Sequence, residues 1–457
     1  MKRFMSGILC TAVLLSTSTV GLANSGPVYW QGYPSTGIMS IQKNSPITVE
    51  HEDLVFDFSD YHDSFYTVSG RVTAAYRMTN PAREAQSVQM AFPFVGSINS
   101  LSAGDIVITA DDETLPYEVY IGDANTRFEF DDIVNTVTNE PYSAENFSEN
   151  ETGRLYTIHV EPATGQEINL AVDFSFDAEK TKVFTGGFNR YERDGQSTRI
   201  ASWCRKPEVL EVFVLGRDIE FDINAYTDGE LSQKTGLFSY RVEKQDAALK
   251  PYLIKYAKKR TNAVDTDPIS DVQLYNLYAA ALDNHFNKHA GFCPEDELMR
   301  QREQERVITL VYTVEFPPES RKNVCVGFTA AGTMDGRQTT KPLYSFRYIL
   351  NPAKNWAGFK DLNVEIIPPP EAPYVIESSI ALTREESGVY RAALEHLPED
   401  DLSFTLYAFE KITLLDRMVG SVQRRFGYLT VVVGAVLPLV AAAFVAAVVI
   451  RRKKTPL

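Results

Sequence analysis

The amino-acid sequence predicts a mainly β fold: tandem, immunoglobulin-like β-sandwich domains outside the cell, with a helical insertion and one C-terminal transmembrane helix. Short runs rich in Val, Ile, Tyr and Phe, separated by Gly, Asn, Asp and Pro, occupy most of the chain and indicate strands. Residues 269–289 instead repeat apolar side chains at helical spacing. Residues 428–450 carry no charged side chain, which indicates a membrane span.

The first strands belong to a predicted N-terminal domain over residues 24–178. Seven segments of strand length define it, at 46–58, 65–78, 87–94, 105–110, 115–122, 154–162 and 167–176. Their regular spacing is typical of a β-sandwich. A polar, acidic insertion over residues 123–152 interrupts the series, and we expect one short helix near 128–138.

A second β-rich domain is predicted over residues 179–409. Its strands are expected at 209–216, 219–226, 237–243, 306–316, 324–330, 342–350, 362–367, 377–382 and 402–409. A helical insertion at about 246–304 divides them. Its main helix should begin at an N-cap on Ser270 or Asp271 and stop at Gly291.

Two similar stretches, YRMTNPAREAQSVQMAFPF (76–94) and YILNPAKNWAGFKDLNVEI (348–366), each place Asn-Pro between apolar runs. Proline restricts the preceding Asn to extended geometry and removes a hydrogen-bond donor from the sheet. We therefore interpret both as strand–turn–strand units rather than as sites. Trp356, beside the second turn, is predicted to be a packing residue because Trp is usually buried.

The run VTAAYRMTNPAREAQSVQMAFPF followed by DIVITADDETLPYEV, within residues 72–119, resembles the opening strands of the vault protein inter-alpha-trypsin domain. In that family a strand ending in Asn leads to a strand ending in Phe-Pro. The adhesion-type metal motif Asp-x-Ser-x-Ser does not follow. More broadly, the chain is similar to membrane-anchored surface proteins of Gram-positive bacteria. The resemblance implies an extracellular β-sandwich and carries over neither an activity nor functional residues.

The chain ends predict a secreted, membrane-anchored protein. Residues 1–23 have the basic start, apolar stretch and small residues of a cleaved signal peptide. An amphipathic juxtamembrane stalk is predicted at 410–427, a transmembrane helix at 428–450 and a basic cytoplasmic tail at 451–457. A plain connector is the alternative to the stalk. We expect the N-terminal region to be extracellular, since basic residues stay inside.

The formal net charge of the chain is −15. Removing the two positive charges of the leader and the four of the tail leaves −21 for residues 24–450. So negative a surface argues against nucleic acid as a partner. The expected partners are the membrane itself and a membrane or cell-envelope protein.

Three cysteines remain after the predicted leader: Cys204, Cys293 and Cys325. They allow one disulfide, with any of three pairings, and leave one thiol. So few cysteines in so long a chain do not form a disulfide scaffold, so the core is expected to be stable without one.

One group of side chains suggests a metal site. His285, His289 and Cys293 stand at i, i+4 and i+8, on one face if the helix continues, and Glu295 or Glu297 could complete four zinc ligands. The alternative is a helix end with two partly exposed histidines and a buried or disulfide-linked cysteine. Acidic clusters could bind calcium, although solvated charge is the alternative there. They are Asp111-Asp112-Glu113, Asp131-Asp132 and Asp265-x-Asp267.

The alternative enzymatic interpretation is a carboxypeptidase-like hydrolase of the cell envelope. Its three motifs occur in order as Ser40-x-x-Lys43, Ser148-x-Asn150 and Lys234-Thr-Gly236. The context is wrong, because the nucleophile should begin a helix and here the segment is strand-like and ends at Pro46. The function favoured by the sequence is therefore non-catalytic recognition, sensing or scaffolding, with a metal-binding accessory role as a further alternative.

Overall fold

The computed structural model describes residues 28–41, 44–60, 66–101, 106–124, 130–259 and 269–418. The predicted signal peptide, transmembrane helix and tail, and residues 419–427 of the predicted stalk, lie outside these residues. Within them, none of the helices combines the length and the apolar composition that crossing a membrane requires.

The described residues are mainly β, as the sequence predicts. The first strands are β1 (Tyr29–Trp30), β2 (Ser35–Thr36), β3 (Met39–Ser40), β4 (Thr48–Asp57), β5 (Ser69–Thr79), β6 (Gln86–Gly96), β7 (Val107–Ala110), β8 (Glu113–Thr114) and β9 (Glu118–Ile121). After them come helix α1 (Phe130–Thr136) and strands β10 (Thr152–Pro162), β11 (Ile168–Ser175), β12 (Thr181–Gly186), β13 (Arg190–Asp194), β14 (Ser197–Cys204), β15 (Glu208–Gly216), β16 (Asp222–Tyr226), β17 (Lys234–Thr235) and β18 (Phe238–Ala248).

The helical layer and the last strands complete the chain. The layer contains α2 (Leu249–Lys259), α3 (Asp271–Lys288), β19 (Phe292–Pro294) and α4 (Glu295–Glu303). The remaining strands are β20 (Arg306–Phe316), β21 (Arg321–Ala331), β22 (Thr333–Asp335), β23 (Leu343–Ile349), β24 (Gly358–Phe359), β25 (Leu362–Ile367), β26 (Tyr374–Ser378), β27 (Thr383–Arg384), β28 (Tyr390–Leu394) and β29 (Leu402–Tyr407). Short 3-10 turns occur at Ile98–Ser100 and Asn351–Asn355.

Three sheets form what we call the outer module, and each draws strands from both ends of the chain. Sheet I has the order β1-β22-β23-β29-β26, with β2 beside β23, and sheet II has the order β3-β6-β20-β9. Sheet III has nine strands, in the order β27-β28-β25-β4-β5-β21-β7-β8 with β24 beside β4. Strand β4 pairs in parallel with β25, in a register that sets Asp53 opposite Asn363, 310 residues away in sequence.

Two further sheets form the central module, residues 152–248. Sheet IV has the order β18-β10-β15-β12-β19 and sheet V the order β13-β14-β11-β16-β17. Apart from β19, all their strands come from one continuous segment. Alternate residues of both sheets, such as Ile158 and Val212 in sheet IV and Leu170 and Ile200 in sheet V, are fully buried in one shared core.

Strand pairings cross the predicted domain division at residue 178. Strand β10 lies before it and pairs with β15 and β18 beyond it. Strand β5 pairs along its whole length with β21, which lies beyond the helical insertion. Both modules therefore use strands from either side of that position.

The helical layer packs on the other face of sheet IV. Phe213 of β15 stacks on Tyr252 of α2 with ring centroids 4.6 Å apart, and Phe184 of β12 meets Tyr256 edge-on at 5.4 Å. Tyr256 in turn meets Tyr278 of α3 at 6.4 Å. Aromatic pairs of this kind add to the free energy gained by burying the rings. Sheet IV is thus covered on one face by sheet V and on the other by helices.

The first Asn-Pro stretch is a turn, as predicted, but its two strands enter different sheets: β5 lies in sheet III and β6 in sheet II. Asn80 is fully buried in the turn. Its side-chain amide donates to the carbonyls of Glu84 and Pro317, both at 2.9 Å, which ties this turn to the one between β20 and β21. The second stretch forms a 3-10 turn, and Trp356 at its end is 5% exposed, which confirms its predicted packing role.

Candidate functional site

A polar cleft of about 540 Å³ lies beside helices α3 and α4 and the end of strand β9. We call it the helical cleft. It contains two residues that the sequence analysis named, His285 and Glu297 of α4, together with Arg306 from the start of β20. Four separate segments of the chain meet there, so the cleft exists only in the folded protein.

Helix α3 positions one side of the cleft and begins where the sequence predicts. The Ser270 hydroxyl accepts a hydrogen bond from the Gln273 backbone N–H at 3.3 Å and caps the first turn. Further along, Gln273 accepts from the Ile121 N–H at 3.1 Å, and Asn276 accepts from the Tyr142 N–H at 2.7 Å. Asn276 thus fastens the predicted acidic insertion to the helix, and Gln273 fastens the end of β9.

Asp283 of α3 makes the strongest of these attachments. It is 2% exposed and accepts hydrogen bonds from the backbone N–H groups of Glu145 and Asn146, each at 2.9 Å, and from the Asn146 amide at 2.7 Å. Burial alone would raise the pKa of Asp283, but these bonds and one from Tyr142 lower it below its usual value. The carboxylate is therefore a structural clamp with its hydrogen-bonding capacity used.

His285 lies in the cleft as a neutral imidazole. Burial, then the neighbouring His289, lowers the pKa of His285 to about 4, although Glu297 opposes the shift. Its ring stacks on that of His289 with centroids 4.0 Å apart. Glu297 Oε2 lies 3.6 Å from His285 Nδ1 and accepts a shorter hydrogen bond, 2.7 Å, from Arg300. At neutral pH the imidazole offers one donor and one acceptor without a charge.

Arg306 brings positive charge to the cleft. It is 4% exposed, and burial lowers its pKa, with Asp123 acting in the opposite direction. Its guanidinium donates to the carbonyl of Gly122 at 3.0 Å and to that of Gln301 at 3.1 Å. Among the described residues no carboxylate lies within ion-pair distance of it, so its charge is compensated mainly by carbonyl dipoles.

Three further polar side chains line the cleft with their hydrogen-bonding groups uncommitted. Asn284, Lys288 and Gln304 make no side-chain hydrogen bond or ion pair to any part of the chain that the structure describes. The cleft thus offers amide, ammonium, imidazole and carboxylate groups to a solute.

The structure does not bring His285, His289 and Cys293 together as a metal site. Helix α3 ends at Lys288, so Cys293 falls on strand β19, where it is fully buried and pairs opposite Phe184. Over the described ranges, no group of three or more His, Cys, Asp or Glu side chains is arranged to hold a metal ion. The helical spacing on which the prediction rested is broken at Gly291, which adopts a left-handed conformation with φ of 78°.

The cysteines form no disulfide with one another. Cys204, Cys293 and Cys325 are all free thiols, and the first two are buried. Burial raises the pKa of Cys204 to about 11 and that of Cys293 well above its ordinary value. Because the thiolate is the reactive form, both groups are unreactive at neutral pH.

The other predicted chemical motifs are separated or already used. Ser40 lies on strand β3, fully buried, rather than at the start of a helix, and Lys43 is outside the described residues. Lys234 lies on β17 of the central module. Of the acidic clusters, Asp111 accepts from Lys322 and from the Asn323 N–H, both at 3.0 Å, in the turn after β7. The structure does not describe the side chains of the other two clusters, which are Asp131, Asp132, Asp265 and Asp267.

A second groove, of about 640 Å³, runs along the outer face of sheet III. Its polar groups satisfy one another. The Asp53 carboxylate accepts from the Asn363 amide and contacts His51 Nε2, both at 2.9 Å, and Glu365 accepts from Arg391 at 2.8 Å. Because these groups are already paired, the groove offers a solute less than the helical cleft does.

One buried carboxyl group lies away from both grooves. Glu52 of β4 is 1% exposed, and burial raises its pKa to about 8 despite hydrogen bonds from Tyr76 and Tyr348. A bulge between Val49 and His51 sets its side chain towards the core. With so little exposure Glu52 cannot contact a solute, so we assign it to the core and not to a site.

The sequence identified His285 and missed most of its neighbours. Gln304 and Arg306 follow α4 directly, but Ile121 and Tyr142 come from segments more than a hundred residues away. The available signal was the recurrence of Gln273, Asn276 and Asp283 along α3, since polar side chains on a mainly apolar helix need partners and two of these, Gln273 and Asp283, are buried.

The chain has a distant likeness among solved structures. No family model matches the chain. No curated protein matches it. Among solved structures, a crystal structure from Legionella pneumophila subsp. pneumophila, called a "putative nutrient binding protein", is similar with a TM-score of 0.37 and 10% identity. The match covers 88% of this chain and 76% of that one.

Proposed function

We propose that this chain is a non-catalytic, single-pass surface protein whose extracellular β-sandwich region serves recognition or sensing. We further propose that the helical cleft binds a small polar solute. The predicted leader and anchor support the location, and the shared core of sheets IV and V supports a sandwich architecture. The immunoglobulin-like type of the sandwiches belongs to the same proposal.

The single observation that carries the binding proposal is the set of uncommitted polar groups in the cleft. Asn284, Lys288 and Gln304 supply two amides and an ammonium group beside the neutral His285. Ligand sites commonly combine a concave shape with a few convergent polar groups.

The test is a thermal-shift screen of the full-length protein in detergent with amino acids, monosaccharides, dicarboxylates and phosphate esters. Lys288→Ala and Asn284→Ala should abolish the shift given by any hit. A ligand present at a hundred times its Kd stabilises the folded state by about 2.7 kcal/mol, which is easily detected.

The matched control is Lys206→Ala, an exposed lysine of the central module remote from the cleft, which should retain the full shift. Hits that survive both cleft substitutions would place binding elsewhere. The absence of any hit, together with unchanged behaviour of the cleft variants, would refute the cleft as a solute site.

The proposal also includes a membrane or cell-envelope protein as partner. In-cell cross-linking of the tagged protein, followed by mass spectrometry, should recover one such protein reproducibly. Recovery of the chain alone would remove this part and leave the cleft proposal intact.

A further inference from the structure

Strand β18 is a long, exposed edge of sheet IV. It pairs with β10 over eleven residues, and no described strand pairs with its opposite edge. Residues 239–246 are all exposed. An edge of this length offers a row of unpaired backbone groups, which is a ready template for another strand.

The hydrogen bonds at the two ends of β18 fix which backbone groups point outward. Ala163 N–H donates to the Leu237 carbonyl and Leu249 N–H donates to the Glu151 carbonyl, each at 2.9 Å. The β10–β18 register is regular between them. Because antiparallel pairs alternate, odd-numbered residues bond to β10, and the even-numbered Tyr240, Val242 and Lys244 direct their N–H and C=O groups to the open edge.

The same even-numbered residues carry an uncovered apolar strip. Tyr240 and Val242 are 48% and 38% exposed, although Val160 and Ile158, their neighbours in register on β10, are buried. Phe238 stacks on Tyr240 with centroids 5.7 Å apart and extends the strip. Sheet V therefore leaves this margin of sheet IV uncovered, and a partner at the edge would cover it.

We propose that β18 pairs with β18 of a second copy of this chain, antiparallel and about a two-fold axis at Val242. In this register Arg241, which also pairs with Glu243 of its own chain at 2.7 Å, lies opposite Glu243 of the second copy, and Tyr240 lies opposite Lys244 of the second copy. Opposite charges directly across a ladder stabilise a pair, and a lysine over an aromatic ring is attractive. The two five-stranded sheets become one continuous ten-stranded sheet.

Neighbouring registers are worse, which makes the proposal specific. A shift of one residue would place the even-numbered residues of one copy, whose backbone groups point to the open edge, opposite odd-numbered residues of the other copy, whose backbone groups point to β10. The hydrogen bonds between the two copies would then be lost. A shift that centres the axis on Arg241 or on Glu243 sets two like charges opposite each other, which destabilises the pair. Only the register centred on Val242 keeps the hydrogen bonds and matches Arg241 with Glu243.

Lys244 is the feature that argues most directly against pairing, since an inward-pointing charge often protects an edge strand. Here its ammonium nitrogen already lies 5.4 Å from the centroid of the Tyr156 ring and forms an ion pair with Asp218. An aromatic ring is therefore an environment that Lys244 accepts within its own chain. In the proposed register it meets a second one, Tyr240 of the other copy.

The test is disulfide trapping of the full-length protein in detergent under mild oxidation. Residues facing each other across a hydrogen-bonded antiparallel pair have Cα atoms about 5.5 Å apart, within the range of a disulfide. Val242→Cys should therefore form a covalent dimer rapidly. The matched control is Val209→Cys, on interior strand β15 with 52% exposure, which should stay monomeric.

A second variant tests the pairing without a new thiol. Val242→Lys places two ammonium groups on the axis while leaving the bonds to β10 intact, so sedimentation should show a dimer for the wild type and a monomer for the variant. A wild-type monomer, or Val242→Cys trapping no faster than Val209→Cys, overturns the proposal. Neither result depends on the helical cleft or its solute.

Discussion

The central and outer modules are built from the same kind of strand but close in different ways. In the central module the strands that pair lie within one segment of the chain, residues 152–248, apart from β19. In the outer module β4 pairs with β25, β5 with β21 and β6 with β20. More than two hundred residues separate the two strands of each pair. The central module is therefore built mainly from pairings between strands that are close in sequence, whereas the outer module pairs strands that are far apart in sequence.

We expect from this difference that the two modules can lose structure separately. Ile158 and Leu170 belong to a core enclosed by sheets IV and V. Leu54 and Val364 belong to another core, which continues through the helical layer to Phe213 on the other face of sheet IV. Since the outer module depends on a few long-range pairings, damage to one of its central strands should spread through sheets I to III. The same damage in the central module should stay within sheets IV and V.

The largest effect is expected from a buried charge in the outer module. Val364 of β25 is 1% exposed and pairs opposite Leu54. Val364→Asp should cost more than about 4 kcal/mol, because an unpaired carboxylate would enter the core. Hydrogen exchange should rise throughout sheet III while peptides from residues 152–248 keep their protection.

The reciprocal variant is Val172→Asp, at a fully buried position of β11. This substitution should raise hydrogen exchange in residues 152–248 and leave sheet III protected from exchange. If either substitution abolished protection in both modules at once, the chain would be one cooperative unit and the comparison would fail.

The next effect concerns pH and has opposite signs in the two modules. The pKa of Glu52 rises from 4.5 to about 8 on folding, so the folded outer module holds a proton that the unfolded chain has lost. Stability should therefore fall as pH rises through this window. Glu52→Gln should remove most of this slope in urea-unfolding experiments.

The central module supplies the contrast through Asp218. Burial alone would raise the pKa of Asp218, but hydrogen bonds from Lys244, Tyr156 and the Ile219 N–H lower it below its ordinary value. Its stabilising effect is present above the unfolded pKa of about 3.8 and is lost as pH falls below it. Asp218→Asn should lower stability above this range and remove the acid part of the pH dependence, and an altered slope above pH 5 would contradict this assignment.

A smaller effect is expected from crowding a glycine beside the buried tyrosines. A Cβ atom on Gly37 would lie 2.9 Å from the Tyr76 hydroxyl and 3.2 Å from that of Tyr348. Gly37→Ala should cost about 1–3 kcal/mol through overpacking. Gly229→Ala in the central module, where the new methyl meets nothing within 4 Å, should stay within about 0.5 kcal/mol of wild type in the same denaturation assay.

The smallest effect is expected from an ion pair on the surface of the central module. Arg199 Nε donates to Asp173 Oδ1 at 2.6 Å across the β11–β14 ladder, with both side chains about one-third exposed. Asp173→Asn should cost about 0.2–1 kcal/mol, and the loss should shrink in high salt. A loss of stability that does not depend on salt would mean that hydrogen-bond geometry, rather than charge, determines its magnitude.

The sequence predicted individual strands well where one face is consistently apolar. Strand β20 occupies residues 306–316 as predicted, and helix α3 begins after the predicted cap at Ser270. Strands β12 and β14 were missed, because buried positions there are held by Thr181, Thr185, Thr198 and Ser202. Small hydroxyl residues in a core weaken the alternation from which strands are predicted.

Pairing partners and most of the cleft could not be predicted. Nothing local to β4 indicates that β25 will lie beside it, since both simply read as strands. Likewise, Arg306 begins a strand and Tyr142 lies in a polar segment, and only the fold brings them to the same cleft as His285. Helical spacing suggested that His285, His289 and Cys293 share a face, and the end of α3 at Lys288 removed that basis.

The distance between paired strands in the outer module also fixes an order of events during synthesis. Ser87 of β6 faces Glu315 of β20, 228 residues later. At about 5–20 residues per second, β6 waits roughly 10–45 s for its partner to be made. During that interval every strand of the central module except β19 is made once residue 248 emerges, while the early apolar strands still lack their partners. We therefore expect the newborn chain to need shielding over β4, β5 and β6 more than over the segment that follows them.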